Sequence, residues 1–155
     1  MMRSLKTLSL LALSLSILQG CSYLMESREV TAKRIAHPVQ MMPRQIEAGL
    51  FNLMAWERIH DKGGSAHLYI EGDGLAWRNR TTPSLDPTPQ NPVALNLAAM
   101  DRAENVIYLA RPCQYHSEKI WRKGKPNWNG EGGCPERYWT SHRLAPEVLD
   151  SLMLA

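Results

Sequence analysis

The sequence predicts an α/β fold: an antiparallel N-terminal hairpin followed by a βαβ unit with parallel strands. Three observations predict it. Leu50 to Arg58 alternates with the period of a strand, Phe51, Leu53 and Ala55 facing one way and Asn52, Met54 and Trp56 the other. Gln45 to Ala48 reads as its partner across a turn near Gly49. His67 to Ile70 then suits a buried strand, Val93 to Met100 a short helix and Val106 to Ala110 a second buried strand. Strand, crossover helix, strand is the unit from which parallel sheets are built.

At 155 residues the chain holds at most one modest domain. Its formal net charge is +3, and the segment up to Gly20, which carries Arg3 and Lys6 and no acid, accounts for all but +1. That is no electrostatic footprint for nucleic acid, which calls for a clustered basic face. Five Trp and five Tyr stand against a single Phe. Amphipathic aromatics suit a carbohydrate or acyl surface, and equally suit half-buried packing.

Met1 to Gly20 has the form of a targeting segment. Arg3 and Lys6 give a positive start, and Leu8 to Leu18 is an apolar run broken only by serines. The run is shorter than the roughly 20 apolar residues of a spanning helix. Leu18-Gln19-Gly20-Cys21 follows. It resembles the lipobox of bacterial lipoproteins, with a small residue directly before the cysteine and a leucine three places before it. The resemblance implies cleavage before Cys21 and lipid on that residue. Several acyl chains, at roughly 0.8 kcal/mol per buried CH₂, would hold the chain stably on a membrane. Ser22 rather than Asp after the cysteine fits the outer membrane of a Gram-negative envelope, on its periplasmic face. The alternative is an ordinary secretory signal with Cys21 merely nearby.

Residues 21–29 read as a polar tether, and Val30 to Ile35 alternates weakly until His37-Pro38 ends it. Asp61-Lys62-Gly63-Gly64 is a strong turn signal after the hairpin. The strand at His67 to Ile70 breaks into Glu71-Gly72-Asp73-Gly74, where two glycines permit backbone angles closed to other residues. A strand ending in such a turn leaves main-chain N–H groups facing a crevice, able to hold a carboxylate, a phosphate or an oxyanion. Pro83, Pro87, Pro89 and Pro92 stiffen the long loop that follows. Asn91 suits the N-cap and Pro92 the first position of the helix, with Leu97 and Met100 on one face.

Arg111 to Tyr115 makes a sharp turn after the second parallel strand, and Glu118 to Pro135, with Trp121 and Trp128, reads as a surface excursion. With Cys21 used for lipid, Cys113 and Cys134 remain. In an oxidising compartment they are a natural disulfide, and the closed loop of about 20 residues is worth on the order of 3 kcal/mol. The competing reading is zinc, held by Cys113, His116, Cys134 and His142, although the second pair forms no compact knuckle. Pro146 opens a last helix with Val148, Leu149, Leu152 and Met153 on one face.

Taken together, Tyr69-Ile70-Glu71-Gly72-Asp73-Gly74, Asp86-Pro87-Thr88-Pro89, Asn91-Pro92, Leu109 to Tyr115 and Arg137-Tyr138-Trp139-Thr140 resemble bacterial α/β-hydrolase-like lipoproteins. The resemblance covers nearly all of the chain after the tether. It implies a partial α/β-hydrolase-like sheet over residues 30–155. It also implies an oxyanion-type turn at Gly72, Asp73, Gly74 and Leu75. Serine hydrolases of this fold place their nucleophile in a Gly-x-Ser-x-Gly elbow after the next strand, and acid and histidine later still. No such elbow occurs in these residues. The chain therefore reads as the front part of an esterase or lipase-type hydrolase, cut within the helix that leads to the catalytic strand, and inactive as it stands.

No catalytic residue, cofactor or metal is assigned. Ser141 and His142 are neighbours whose side chains generally point apart. Asp73 could act as an acid or base, or cap its own turn. Arg111 could bind a carboxylate, or tie down one such as Glu71. His37, His60, His67 and His116 read as structural or solvated. The second function class is a lipid-anchored binding or interaction module that uses the glycine turn and the Trp-rich segment without catalysis.

Overall fold

The computed structural model describes residues 26–115 and 134–155. The targeting segment, Cys21, His116, Trp121, Trp128 and most of the Glu118 to Pro135 excursion lie outside the described residues.

A helix, α1, spans Arg28–Ala36 where the sequence alternates weakly. Tertiary contact overrides that pattern: Ser27 caps the helix by accepting from the Val30 N–H, and Ala32 and Ala36 are buried against the sheet. Strands β1 (Met42–Ala48) and β2 (Phe51–Ile59) form the expected hairpin, with Gly49 at φ +60° in its turn. Strand β3 is His67–Ile70, helix α2 is Val93–Met100 and strand β4 is Asn105–Leu109. The sheet order is β1-β2-β4-β3. β2 lies antiparallel to β1 and β4, and β3 lies parallel to β4 with Tyr69 opposite Tyr108. The βαβ unit is therefore present. Helix α3, Pro146–Leu154, follows a short 3-10 turn at Glu136–Tyr138.

Both faces of the sheet are covered. Met54, Trp56, Val106 and Tyr108 pack with Ala32 and Ala36 of α1 and Leu95 and Ala98 of α2. Phe51, Leu53, Ala55 and Leu109 pack on the other face with Tyr138, Trp139 and Val148. The alternation read in β2 is thus the division between two cores. The Asp61–Gly64 turn is organised by buried Asn105, whose Oδ1 accepts from the His60 and Asp61 N–H groups at 3.1 and 3.0 Å.

Four expectations about burial and capping are corrected. β3 is an edge strand, not a buried one, so Leu68 and Ile70 stay about half exposed. In α2 it is Leu95 and Ala98 that face the core, while Leu97 and Met100 point to solvent. Pro92, one residue later than expected, stands at the N-cap of α2, and Asn91 instead accepts a hydrogen bond from Asn96. In α3, Val148 and Ser151 are buried and Leu152 is half-buried, whereas Leu149 and Met153 are exposed. Ser151 is tolerated inside because its hydroxyl donates to the Val148 carbonyl at 2.7 Å. Among the described residues no helix is long and apolar enough to cross a membrane.

Candidate functional site: the turns at the carboxyl ends of β3 and β4

Open α/β sheets bind ligands at the carboxyl ends of their parallel strands. Here those ends are two turns, Glu71 to Leu75 after β3 and Arg111 to Tyr115 after β4. The Glu71 N–H extends the ladder to the Leu109 carbonyl at 2.9 Å. Gln114 Nε2 donates to the Gly72 carbonyl at 2.9 Å, and Gln114 Oε1 accepts from the Arg111 N–H at 3.1 Å. Arg111 reaches across to Asp73, Nη1 to Oδ1 at 2.6 Å, and donates to the Arg143 carbonyl. Arg143 Nε approaches the other oxygen of Asp73 at 3.5 Å.

Two expectations are corrected here. Asp73 does not cap its own turn: its carboxylate is held between two arginines. Arg111 does tie down a loop carboxylate, as expected, but that carboxylate is Asp73 and not Glu71. Both pairings join residues far apart in sequence and leave no local signal. Asp73 is half exposed in this ion pair, which limits its worth to stability.

Glu71, read from the sequence only as a carboxylate for Arg111 to hold, has other partners. It is buried at 7% exposure. Its Oε1 accepts from the Gly72 N–H at 3.0 Å and its Oε2 from the Tyr108 hydroxyl at 3.2 Å. Burial, with Tyr115 and Glu71 close by, pushes the Tyr108 phenol well above its ordinary range. Burial likewise pushes Tyr115 up to about 12. The Tyr115 hydroxyl lies beside that of Tyr108, but among the described residues neither it nor buried Trp56 Nε1 has a partner of hydrogen-bond geometry. The Trp56 ring packs on both tyrosines, at 5.7 and 4.9 Å between centroids. The signal for this cluster in the sequence was an acid directly after an apolar strand, and it is weak.

The amides of the glycine turn divide into two groups. Gly72 donates to Glu71, and Leu75 donates to the Pro87 carbonyl at 2.9 Å. The Asp73 and Gly74 N–H groups have no partner among the described residues. Gly74 sits at φ +61°, where a Cβ would come within 2.1 Å of the Pro87 carbonyl oxygen. The turn and α2 enclose a groove of about 600 Å³, walled by Ile70, Leu75, Pro89, Val93 and Leu97 and lined by Glu71.

The proline loop that roofs this region is pinned at several points. Thr88 Oγ1 accepts from the Tyr115 N–H at 2.7 Å, and Trp139 Nε1 donates to the Ser84 carbonyl at 3.1 Å. Arg28 of α1 donates to the Asp86 and Thr88 carbonyls at 2.8 and 2.7 Å.

Cys113 and Cys134 form a disulfide, with Cα atoms 5.6 Å apart. Both thiols are therefore consumed and the zinc reading fails for them; His116 lies outside the described residues. Among the described residues no group of three or more His, Cys, Asp or Glu is placed to hold a metal. Ser141 and His142 do not point apart: Oγ lies 2.8 Å from Nδ1, and both side chains are exposed. His67 Nδ1 lies 2.6 Å from Asp101, which also accepts from the Tyr69 hydroxyl at 2.8 Å. His37 and His60 are exposed.

A scan against protein-family models, a search of curated proteins and a search of solved structures give no match to this chain.

Proposed function

We propose that this chain is a lipid-anchored protein of the bacterial envelope. It is held through Cys21 at the periplasmic face of the outer membrane. It is built on the N-terminal part of a serine-hydrolase-like α/β scaffold and does not hydrolyse esters on its own. The observation that carries the reading is the placement of the Gly72–Leu75 turn. It sits at the carboxyl end of a parallel strand, in the loop leading to the crossover helix, beside an apolar groove. That loop is where α/β hydrolases place one oxyanion N–H. The Asp73 and Gly74 amides of the turn have no partner among the described residues, and the sequence has no nucleophile elbow to work with them. A turn without an activated nucleophile lacks the covalent step.

The binding-module reading is supported by one specific feature. The Gly72 N–H is occupied by the carboxylate of Glu71, where a catalytic turn would keep its donors open for developing charge.

Two measurements test the proposal. Mass spectrometry of the full-length chain from expressing cells is expected to show diacylglyceryl-modified Cys21 at a new N-terminus, abolished by Cys21→Ser. The same protein is expected to show no p-nitrophenyl ester hydrolysis and no stoichiometric fluorophosphonate label. Labelling at Ser141, lost in Ser141→Ala, would overturn the non-catalytic part.

A further inference from the structure

Glu71 is a buried acid with no cation beside it among the described residues. Its two hydrogen bonds come from neutral donors, the Gly72 N–H and the Tyr108 hydroxyl. No lysine, arginine or histidine pairs with it among the described residues; Arg111, the cation at the neighbouring strand end, is spent on Asp73. A buried carboxylate met only by neutral groups is expensive, and a cation that reaches it recovers much of that cost. A carboxylate has about four acceptor directions, and two are filled here.

Besides Glu71, the groove is lined by the polar residues Gln90 and Asn91, and its remaining side chains are apolar. Ile70, Val93 and Leu97 are 47%, 58% and 53% exposed along it, large hydrophobics left uncovered at one place. Its volume of about 600 Å³ is that of a small-molecule site. An anionic amphiphile would bring like charge towards Glu71. A neutral one would gain only the apolar walls.

We infer that the groove beside the glycine turn binds an amphiphile with a protonated amine on a short apolar chain. The ammonium meets Glu71, and the chain lies along Ile70, Val93 and Leu97. This rests on the binding-module reading above, with the groove as its ligand site, and not on descent from a hydrolase.

The test is a titration of the isotope-labelled full-length chain with n-hexylammonium, n-hexanol and n-hexanoate, read at the backbone amides of Glu71 to Leu75. A charge-assisted hydrogen bond to a carboxylate predicts hexylammonium binding about tenfold tighter than hexanol, with hexanoate weakest. Glu71→Gln should bring hexylammonium and hexanol level. Leu97→Lys, a change at an exposed position, should remove the ammonium preference while leaving the thermal transition in place, so the inference survives a misfolded Glu71→Gln. Equal binding of hexylammonium and hexanol by the wild-type chain would overturn charge selection and leave the groove as a site. No shift at these amides with any probe would overturn both.

Discussion

Gln114 donates from its side-chain amide to the carbonyl of Gly72, 42 residues earlier, and so binds the turn after β4 to the turn after β3. The two strand ends form one unit through this bond, the Arg111–Asp73 pair and the close approach of Gly74 to the Gln114 side chain.

The two glycines of the turn should behave oppositely. Gly74→Ala puts a Cβ at positive φ and 2.1 Å from a backbone oxygen that cannot step aside. It should cost on the order of 3 kcal/mol or more. Gly72 has nothing within 4 Å of its missing Cβ and no positive φ. Gly72→Ala should stay within about 0.5 kcal/mol of wild type. Urea denaturation followed by circular dichroism separates the two.

The two buried tyrosines also part company. Tyr115→Phe removes a hydroxyl that has no partner of hydrogen-bond geometry among the described residues, so it should be neutral or stabilising by up to about 1 kcal/mol. Tyr108→Phe takes a donor from a buried carboxylate and should cost about 1–3 kcal/mol. A destabilised Tyr115→Phe would show that its hydroxyl is satisfied in solution.

Asp101 sets an acid limit. The Ala103 N–H first, then His67 and Tyr69, hold its carboxyl down from 3.8 to about 2. A carboxylate lowered on folding stabilises the native state fully above its unfolded value. The contribution falls away as pH drops from near 3.8 through about 2. Asp101→Asn should therefore lower stability at neutral pH and flatten its loss across that acid window. Melting temperatures measured from pH 6 down to roughly pH 2 test this, and an unchanged acid slope would rule it out.

Reduction should be felt across the second core. Cys113 is buried beside Leu109, Tyr138 and Trp139, and its bond to Cys134 spans 21 residues. Loss of the crosslink should cost about 3 kcal/mol. Paired thermal melts of the chain with and without dithiothreitol, and of a Cys113→Ser/Cys134→Ser double variant, measure it.

The hairpin and the βαβ unit were legible because their signals are local. A two-residue period sorted β2 into two faces, and Asn91-Pro92 marked where α2 begins to within one residue. The helix at Arg28–Ala36 was not legible, since its two alanines gain their burial only from the sheet they rest on. The exposed face of α2 misled for a similar reason: Leu97 and Met100 have helical spacing, but the core takes Leu95 and Ala98. The glycine turn stood out in the sequence. Of its partners only Arg111 did, and with the wrong carboxylate, because Tyr108, Gln114 and Arg143 come to it through the folded topology alone.

Among the described residues β3 has a neighbour on one flank only, and such a strand remains a template. The outer rim of β3 offers its peptide groups to any extended polypeptide that comes near, with Leu68 and Ile70 alongside to make the meeting adhesive. At high concentration this rim is where chains would begin to stack, and a lysine in place of Leu68 is the simplest gatekeeper against it.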